Sequence, residues 1–357
     1  MTITQKTLVT GAAGFIGSNL VRHLLNHQPD CEVVALDALT YSGSFSTIED
    51  LLDHPRLTFV HGDIRDRELI RETFAEQRPD GVIHLAAESH VDRSIVDPLA
   101  FVETNVVGTV VLLQEASKCW ESVSGRFHHV STDEVYGALG DEGKFSEKSA
   151  YAPRSPYSAS KAASDHFVRA WGSSFGLDYV ITNCTNNYGP YQFPEKLIPV
   201  VITRALTQKG VPIYGRGKNV RDWLYVDDHC RALSLVYERG RPQTTYSIGG
   251  ESESSNLDLV TLVLETLDRE LGNSPGTSTS LIEFVEDRPG HDFRYAMDIG
   301  LIRKELGWSP TTTLRSGMEQ TVRWYLNNLD WLQRVESEEH RAFQDKWYKG
   351  RRPGVGR

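Results

Sequence analysis

The sequence predicts an α/β fold, a doubly wound parallel sheet with a smaller C-terminal α/β lobe for binding substrate. Three observations predict it. Short apolar runs alternate with helical periodicity through the first half of the chain, a glycine turn follows the first run, and after about Asn186 the chain shifts to loops rich in Gly, Pro and Tyr. Strand–helix alternation places helices on both faces of a parallel sheet, and such sheets take ligands at their carboxyl ends.

The strand-like runs are Thr7–Thr10, Glu32–Leu36, Leu57–Val60, Gly81–Leu85, Phe127–Ser131 and Tyr179–Thr182. Helical patterns fill the gaps at Phe15–His27, Arg67–Gln77, Ala100–Trp120 and Tyr157–Phe175. Further helices are expected at Glu195–Lys209, Asp227–Arg239, Asn256–Leu271, Leu301–Leu306 and Ser316–Leu329. The organisation read from this is a nucleotide-binding domain over 1–186, a lobe over 187–335 with a soft boundary and some chain exchange, and a polar tail over 336–357.

The 357 residues carry a formal net charge of −10, a poor match for polyanions, whose binding needs clustered Lys and Arg. A small phosphorylated ligand is still compatible if a few Arg converge. The polar start and the lack of any run of ~18 apolar residues point to a cytoplasmic protein. Cys31, Cys119, Cys184 and Cys230 are far apart and read as reduced, mostly buried thiols. No histidine spacing suggests a metal site.

Gly11-Ala12-Ala13-Gly14-Phe15-Ile16-Gly17 joins the first strand to the first helix. Such a turn brings backbone N–H groups and a helix N-terminus to a pyrophosphate, although a structural glycine turn reads the same in isolation. The second strand adds weight, because it ends at Asp37, 20 residues past Gly17. An acid there accepts from a ribose hydroxyl and repels a 2′-phosphate, so the expected cofactor is NAD rather than NADP. Asp63 is a candidate adenine contact, or simply a turn aspartate.

Tyr157 and Lys161 stand four apart on an expected helix, hence on one face. An ammonium beside a phenol is expected to lower its pKa, so that the phenolate can take a proton from a sugar hydroxyl. Thr132, Asp133 and Glu134 follow an apolar strand, where two carboxylates in one cleft are pushed apart in pKa and can act as acid and base. Alone, either motif would read as a solvated helix face or a solvated turn.

More specific runs accompany these. They are Leu85-Ala86-Ala87-Glu88-Ser89-His90-Val91-Asp92-Arg93-Ser94, Asn186-Asn187-Tyr188-Gly189-Pro190, Phe193-Pro194-Glu195-Lys196-Leu197-Ile198-Pro199, Arg221-Asp222-Trp223-Leu224-Tyr225-Val226 and Asp287-Arg288-Pro289-Gly290-His291-Asp292. With the glycine turn, Asp37 and the Tyr157/Lys161 pair, they resemble the dTDP-glucose 4,6-dehydratases of the extended short-chain dehydrogenase/reductase superfamily, over nearly the whole chain. The resemblance implies a Rossmann-type sheet, bound NAD, dTDP-glucose as substrate and loss of water to give a 4-keto-6-deoxy sugar.

The resemblance also implies roles. Tyr157 would deprotonate the sugar 4-hydroxyl, Lys161 would hold the cofactor ribose, and Thr132 would bond the 4-oxygen. Glu134 would be the base at C5 and Asp133 the acid at the C6 hydroxyl, which requires Asp133 neutral and Glu134 ionised at rest. Gly11, Gly14, Phe15, Ile16, Gly17, Asp37, Thr40, Asp63, Ile64, Leu85, Ala86, Ala87, Ser89, Thr104 and Asn187 fall on the cofactor side. Ser89, Thr132, Asn186, Lys196, Leu197, Pro212, Tyr214, Arg221, Asn256, Arg288 and His291 fall on the substrate side, with Arg221 and Arg288 as a diphosphate clamp. A homodimer through a four-helix bundle is implied too, with Ala100–Trp120 and Tyr157–Phe175 as candidates, although both can equally cover the sheet. A UDP-sugar 4,6-dehydratase and a nucleotide-sugar 4-epimerase remain alternatives, and the Asp133–Glu134 doublet argues against the epimerase.

Overall fold

Six strands arise where the apolar runs predict them: β1 (Lys6–Thr10), β2 (Glu32–Asp37), β3 (Leu57–His61), β4 (Gly81–His84), β5 (Arg126–Thr132) and β6 (Tyr179–Cys184). In the computed structural model, which describes residues 6–287 and 292–335, they pair in parallel. β7 (Asn186–Tyr188), β8 (Val211–Tyr214), β9 (Val220–Tyr225), β10 (Thr244–Ile248), β11 (Glu253–Ser255) and β12 (Ile282–Val285) follow. The central sheet has seven strands in the order β10-β6-β5-β4-β1-β2-β3. β10, which the pattern reading did not identify, leaves the C-terminal half to pair in parallel with β6.

Alternate residues of each strand supply two cores, which is why the strands read as continuous apolar runs. Leu8, Val34, Phe127 and Ile181 face helices α2 (Arg67–Gln77), α5 (Thr109–Cys119) and α6 (Pro156–Phe175). Val9, Val33, Ala35, Ile83 and Val180 face α1 (Phe15–His27) and α8 (Val226–Arg239), the latter arriving from the second half of the chain. A third cluster fills the lobe. It joins α7 (Leu197–Leu206), β8, β9, α9 (Asn256–Leu271), α11 (Leu314–Asn327) and α12 (Leu329–Val335). α10 (Gly300–Leu306) packs beneath β10.

The single helix expected over Ala100–Trp120 is interrupted. α3 (Val91–Val96) and α4 (Pro98–Phe101) lead into a π-helical turn over Val102–Gly108, and only then does α5 begin. The wide turn carries Asn105, whose side-chain oxygen accepts from Glu88 N at 2.8 Å and whose amide donates to Glu88 O at 3.0 Å and Ser160 Oγ at 2.8 Å. Asn105 thus ties the loop after β4 to α6. By length and composition Pro98–Cys119 is apolar enough to cross a membrane, but Phe101, Asn105, Val111 and Leu112 on it are buried within the protein. The expected helix over Ser316–Leu329 forms as α11, and α12 follows from Leu329. Cys31, Cys184 and Cys230 are buried free thiols, and Cys119 is half-buried. The expectations for Arg288, His291 and the tail 336–357 lie outside the described residues.

Candidate active site

The strand order reverses between β1 and β4, and a crevice opens at their carboxyl ends. It holds a cavity of about 490 Å³ that runs from the glycine turn and Asp37 to Thr132, Asp133, Glu134, Tyr157 and Lys161. Every residue expected on the cofactor side lines it.

At one end, Gly11 has φ of +69°, and a Cβ there would lie 2.8 Å from Ala86 N. A Cβ on Gly17 would collide with the Gly11 carbonyl. The glycines therefore let the turn, the loop after β4 and α1 approach one another. Gly14 caps α1 without any side-chain bond, so the first N–H groups of that helix are left for an anion. Asp37 accepts from Ala13 N and Leu39 N, both at 2.8 Å. Burial pushes its carboxyl up, against the pull of those two N–H groups. Asp63 is both a turn residue and a cavity wall, since it accepts from Arg65 N at 2.8 Å and pairs with the Arg65 guanidinium.

At the other end, Thr132 closes β5 and its hydroxyl caps the 3₁₀ turn Asp133–Tyr136, accepting from Glu134 N at 3.3 Å. The same hydroxyl donates to Asp133 Oδ1 at 3.2 Å. Asp133 is buried, and desolvation together with the Glu134 charge pushes its carboxyl well above the usual range. Ser155 and Ser158 form a capping box that starts α6, so Tyr157 and Lys161 point from a fixed helix end. Lys161 is buried and donates to Val130 O at 2.8 Å; burial pulls its pKa down.

One expectation is corrected. The Tyr157 phenol is not lowered: burial, then the Glu134 and Cys184 charges, push it well above its ordinary value, and the Thr132 hydroxyl opposes them only in part. Desolvation dominates that balance, and the Lys161 ammonium is itself buried and bonded to the Val130 carbonyl.

On the substrate side, Ser89, Thr132, Asn186 and Lys196 line the cavity, with Lys196 Nζ donating to Ser89 O at 3.0 Å. Leu197, Pro212, Tyr214, Arg221 and Asn256 stand off it, in the lobe. Pro212 and Tyr214 share the half-exposed face of β8, and Asn256 begins α9, its N–H donating to Asn219 O at 2.9 Å. The buried Arg221 donates to the carbonyls of Val220 at 2.8 Å, Asp292 at 2.9 Å and Phe293 at 3.2 Å, and its guanidinium sits 4.4 Å above the Tyr295 ring centre.

Residues that the sequence reading quoted only within longer runs also line the cavity. Glu88 and Glu195 are chief among them, and Arg93 bonds Glu195 at 3.2 Å while lying 3.9 Å over the Tyr41 ring. They tie together the loop after β2, the loop after β4 and the start of α7. No local spacing signals that contact, because its members are spread from 41 to 195.

A nicotinamide dinucleotide suits this cavity. Ser131 Oγ, Asp133 Oδ2, Thr185 Oγ1 and Asn187 Oδ1 are buried cavity-wall atoms without a protein hydrogen bond, and the glycine cradle admits no side chain.

Residues 8–321 match the family described as GDP-mannose 4,6 dehydratase. The dTDP-glucose 4,6-dehydratase of Shigella flexneri is 51% identical over 97% of this chain and 100% of its own. dTDP-glucose 4,6-dehydratase 1 of Escherichia coli K12 is 50% identical with the same coverage. A crystal structure of dTDP-glucose 4,6-dehydratase from Streptomyces venezuelae with NAD bound superposes with a TM-score of 0.86, at 47% identity, covering 93% of this chain and 100% of that one. Fold, cavity and these similarities agree, and the chain belongs to the dTDP-glucose 4,6-dehydratase family of the extended short-chain dehydrogenase/reductases.

Proposed function

We propose that this chain converts dTDP-glucose to dTDP-4-keto-6-deoxyglucose, with NAD held between the glycine turn, Asp37 and Lys161. The observation that carries the proposal is the Asp133–Glu134 doublet, with Asp133 buried and Glu134 half-buried, at the same end of the cavity as Tyr157 and Thr132. An epimerase has no need of such a pair.

NAD, which the glycine turn, Asp37 and Lys161 would hold, would supply a hydride acceptor for the sugar C4 and a hydride donor for C6, with the proton taken by Glu134 going back to C5. Tyr157 receives the 4-hydroxyl proton, and Thr132 bonds the oxygen that becomes a ketone. The C5 hydrogen is then α to a carbonyl and acidic enough for Glu134 to remove. Asp133, protonated because it is buried beside Glu134, gives its proton to the departing C6 oxygen, so water leaves. Burial pushes the Tyr157 phenol up, and Lys161, one turn along α6, would supply the positive charge that favours its phenolate.

Residues 1–186 form the cofactor domain and 187–335 the nucleotide-sugar lobe, with β10 and α8 exchanged back. A cytoplasmic homodimer completes the proposal. Val96 and Leu99 are 65% and 69% exposed, and Ile95, Val102 and Val107 beside them and Phe167 on α6 are exposed as well. An apolar face on these helices suits a bundle with its copy.

C4-deuterated dTDP-glucose tests the reaction. The expected product is lighter by one water and carries deuterium at C6. A product that keeps its water points to epimerisation and overturns the proposal.

A further inference from the structure

Tyr157, Lys161, Asp165 and Arg169 recur every four residues along α6 and so form one stripe. The first two reach the cavity and the others continue into the protein. Asp165 is wholly buried, yet three side chains attend it. Tyr151 donates its hydroxyl to Asp165 Oδ2 at 2.7 Å, and Arg169 in turn donates to that hydroxyl at 2.8 Å. His129 Nε2, on β5, lies 3.1 Å from Asp165 Oδ1, at ion-pair distance though not aligned for a full hydrogen bond. Asn183, which also bonds Thr132 O at 3.1 Å, reaches Asp165 Oδ2 at 3.4 Å.

We propose that Asp165 is a positioning residue for the reaction, its buried carboxylate serving as the counter-charge that keeps the Lys161 ammonium protonated beneath Tyr157. This deepens the reading of Tyr157 and Lys161 as the reacting pair and rests on it.

A buried ammonium bonded to one carbonyl loses its charge readily, because desolvation disfavours the ion. The groups that act on Lys161 or feel its charge are Asp165 on α6, His129 on β5, His84 on β4 and Cys184 on β6, with Tyr157 one turn along the same helix. Asp165 leads those that raise its pKa. Burial pushes the Asp165 carboxyl up, but His129, Lys161 and Tyr151 together outweigh it, and it ends below its ordinary value. Burial, then the Lys161 charge, pulls His129 to about 4, and His84 is also pulled down, so neither imidazole adds a competing charge near neutrality. The stripe therefore sets a carboxylate between two cations, one of which, Lys161, stands one helical turn from the phenol.

The test is the pH profile of kcat for dTDP-glucose in the full chain with bound NAD. Asp165→Asn keeps the shape and an acceptor for Tyr151 but removes the charge. The Lys161 pKa then falls, and the alkaline limb is expected to move to lower pH by about one unit or more, with KM little changed. Asp165→Glu should move it part of the way back. A uniform loss of kcat with the limb in place, or no change at all, overturns the proposal. If Asp165→Asn does not fold, Asp165→Ser, which removes the same charge with less bulk, decides on the same alkaline limb, and an unmoved alkaline limb overturns the proposal. A Tyr157→Phe variant with full turnover would sink the underlying reading itself, whatever Asp165 does.

Discussion

The cavity wall and the Arg221 site in the lobe treat their polar groups in opposite ways. On the wall of the cavity, Ser131 Oγ, Asp133 Oδ2, Thr185 Oγ1 and Asn187 Oδ1 are buried without a protein hydrogen bond. In the lobe, the buried Arg221 places its guanidinium on three backbone carbonyls and an aromatic face. Unsatisfied buried groups cost stability, and a fold keeps them where a ligand completes them. The cavity wall is therefore built for its ligands ahead of their arrival. The lobe is first built for itself, and its Arg221 must share its donors with a diphosphate or give up carbonyls to bind one.

The largest effect expected from this contrast is at Asp133. Asp133→Asn keeps the shape and removes the acid, so dehydration should fall about a hundredfold or more while C4 oxidation persists. Rapid mixing with dTDP-glucose should then show reduced nicotinamide accumulating. Elimination at the wild-type rate would remove Asp133 from the acid role.

Arg221 gives a smaller, double effect. Arg221→Ala removes a cation and one of the donors to each of three carbonyls, which keep Asn219 Nδ2, Val220 N and Tyr295 N. Weaker dTDP binding, roughly tenfold or more, and a lower melting temperature are expected together. A lower melting temperature with unchanged dTDP affinity would leave Arg221 as a strut of the lobe, and the clamp would need another residue.

Asp37 is smaller still, because two backbone N–H groups already engage its carboxylate. Asp37→Asn should weaken NAD binding about tenfold and narrow the preference over NADP by removing the repulsion of a 2′-phosphate. Titration of both cofactors measures it. A preference as wide as in the unaltered protein would place the discrimination elsewhere, in Thr40 or Asp63.

What could be seen in advance follows the same division. Buried parallel strands announce themselves by apolar runs, and the glycine turn, Asp37, the doublet and the Tyr157/Lys161 pair are local motifs, so the cavity wall was legible. β10 was not, because Thr244-Thr245-Tyr246-Ser247-Ile248 is short and half polar, although Ser247, Tyr246 and Ile248 are buried. The π turn at Val102–Gly108 escaped because one extra residue per turn scarcely disturbs a helical apolar pattern. The Asp165–His129 contact escaped because an isolated Asp or His reads as surface until a partner 36 residues away is placed beside it. The position of Arg221 was legible in sequence, but its carbonyl partners were not, since backbone acceptors leave no mark on residue identity.

The contrast also predicts opposite signs of stability. Asp133 is held protonated in the fold, its carboxyl raised by burial and by Glu134. The unfolded chain loses that proton near the ordinary aspartate value of about 4, so between there and the raised folded value the native state binds more protons than the unfolded state. Stability from this group is fully present below that ordinary value and declines as pH rises. Asparagine has no proton to lose, and its Oδ1 can still accept from Thr132. Asp133→Asn should therefore melt close to the unaltered protein near pH 4 and a few degrees above it at pH 7, the reverse of Arg221→Ala. Melting curves across that range measure the gap. A gap that does not widen with pH would mean that Asp133 is ionised in the native chain, and it would weaken the acid assignment and the view of the cavity wall as a region that gives up stability for its ligands.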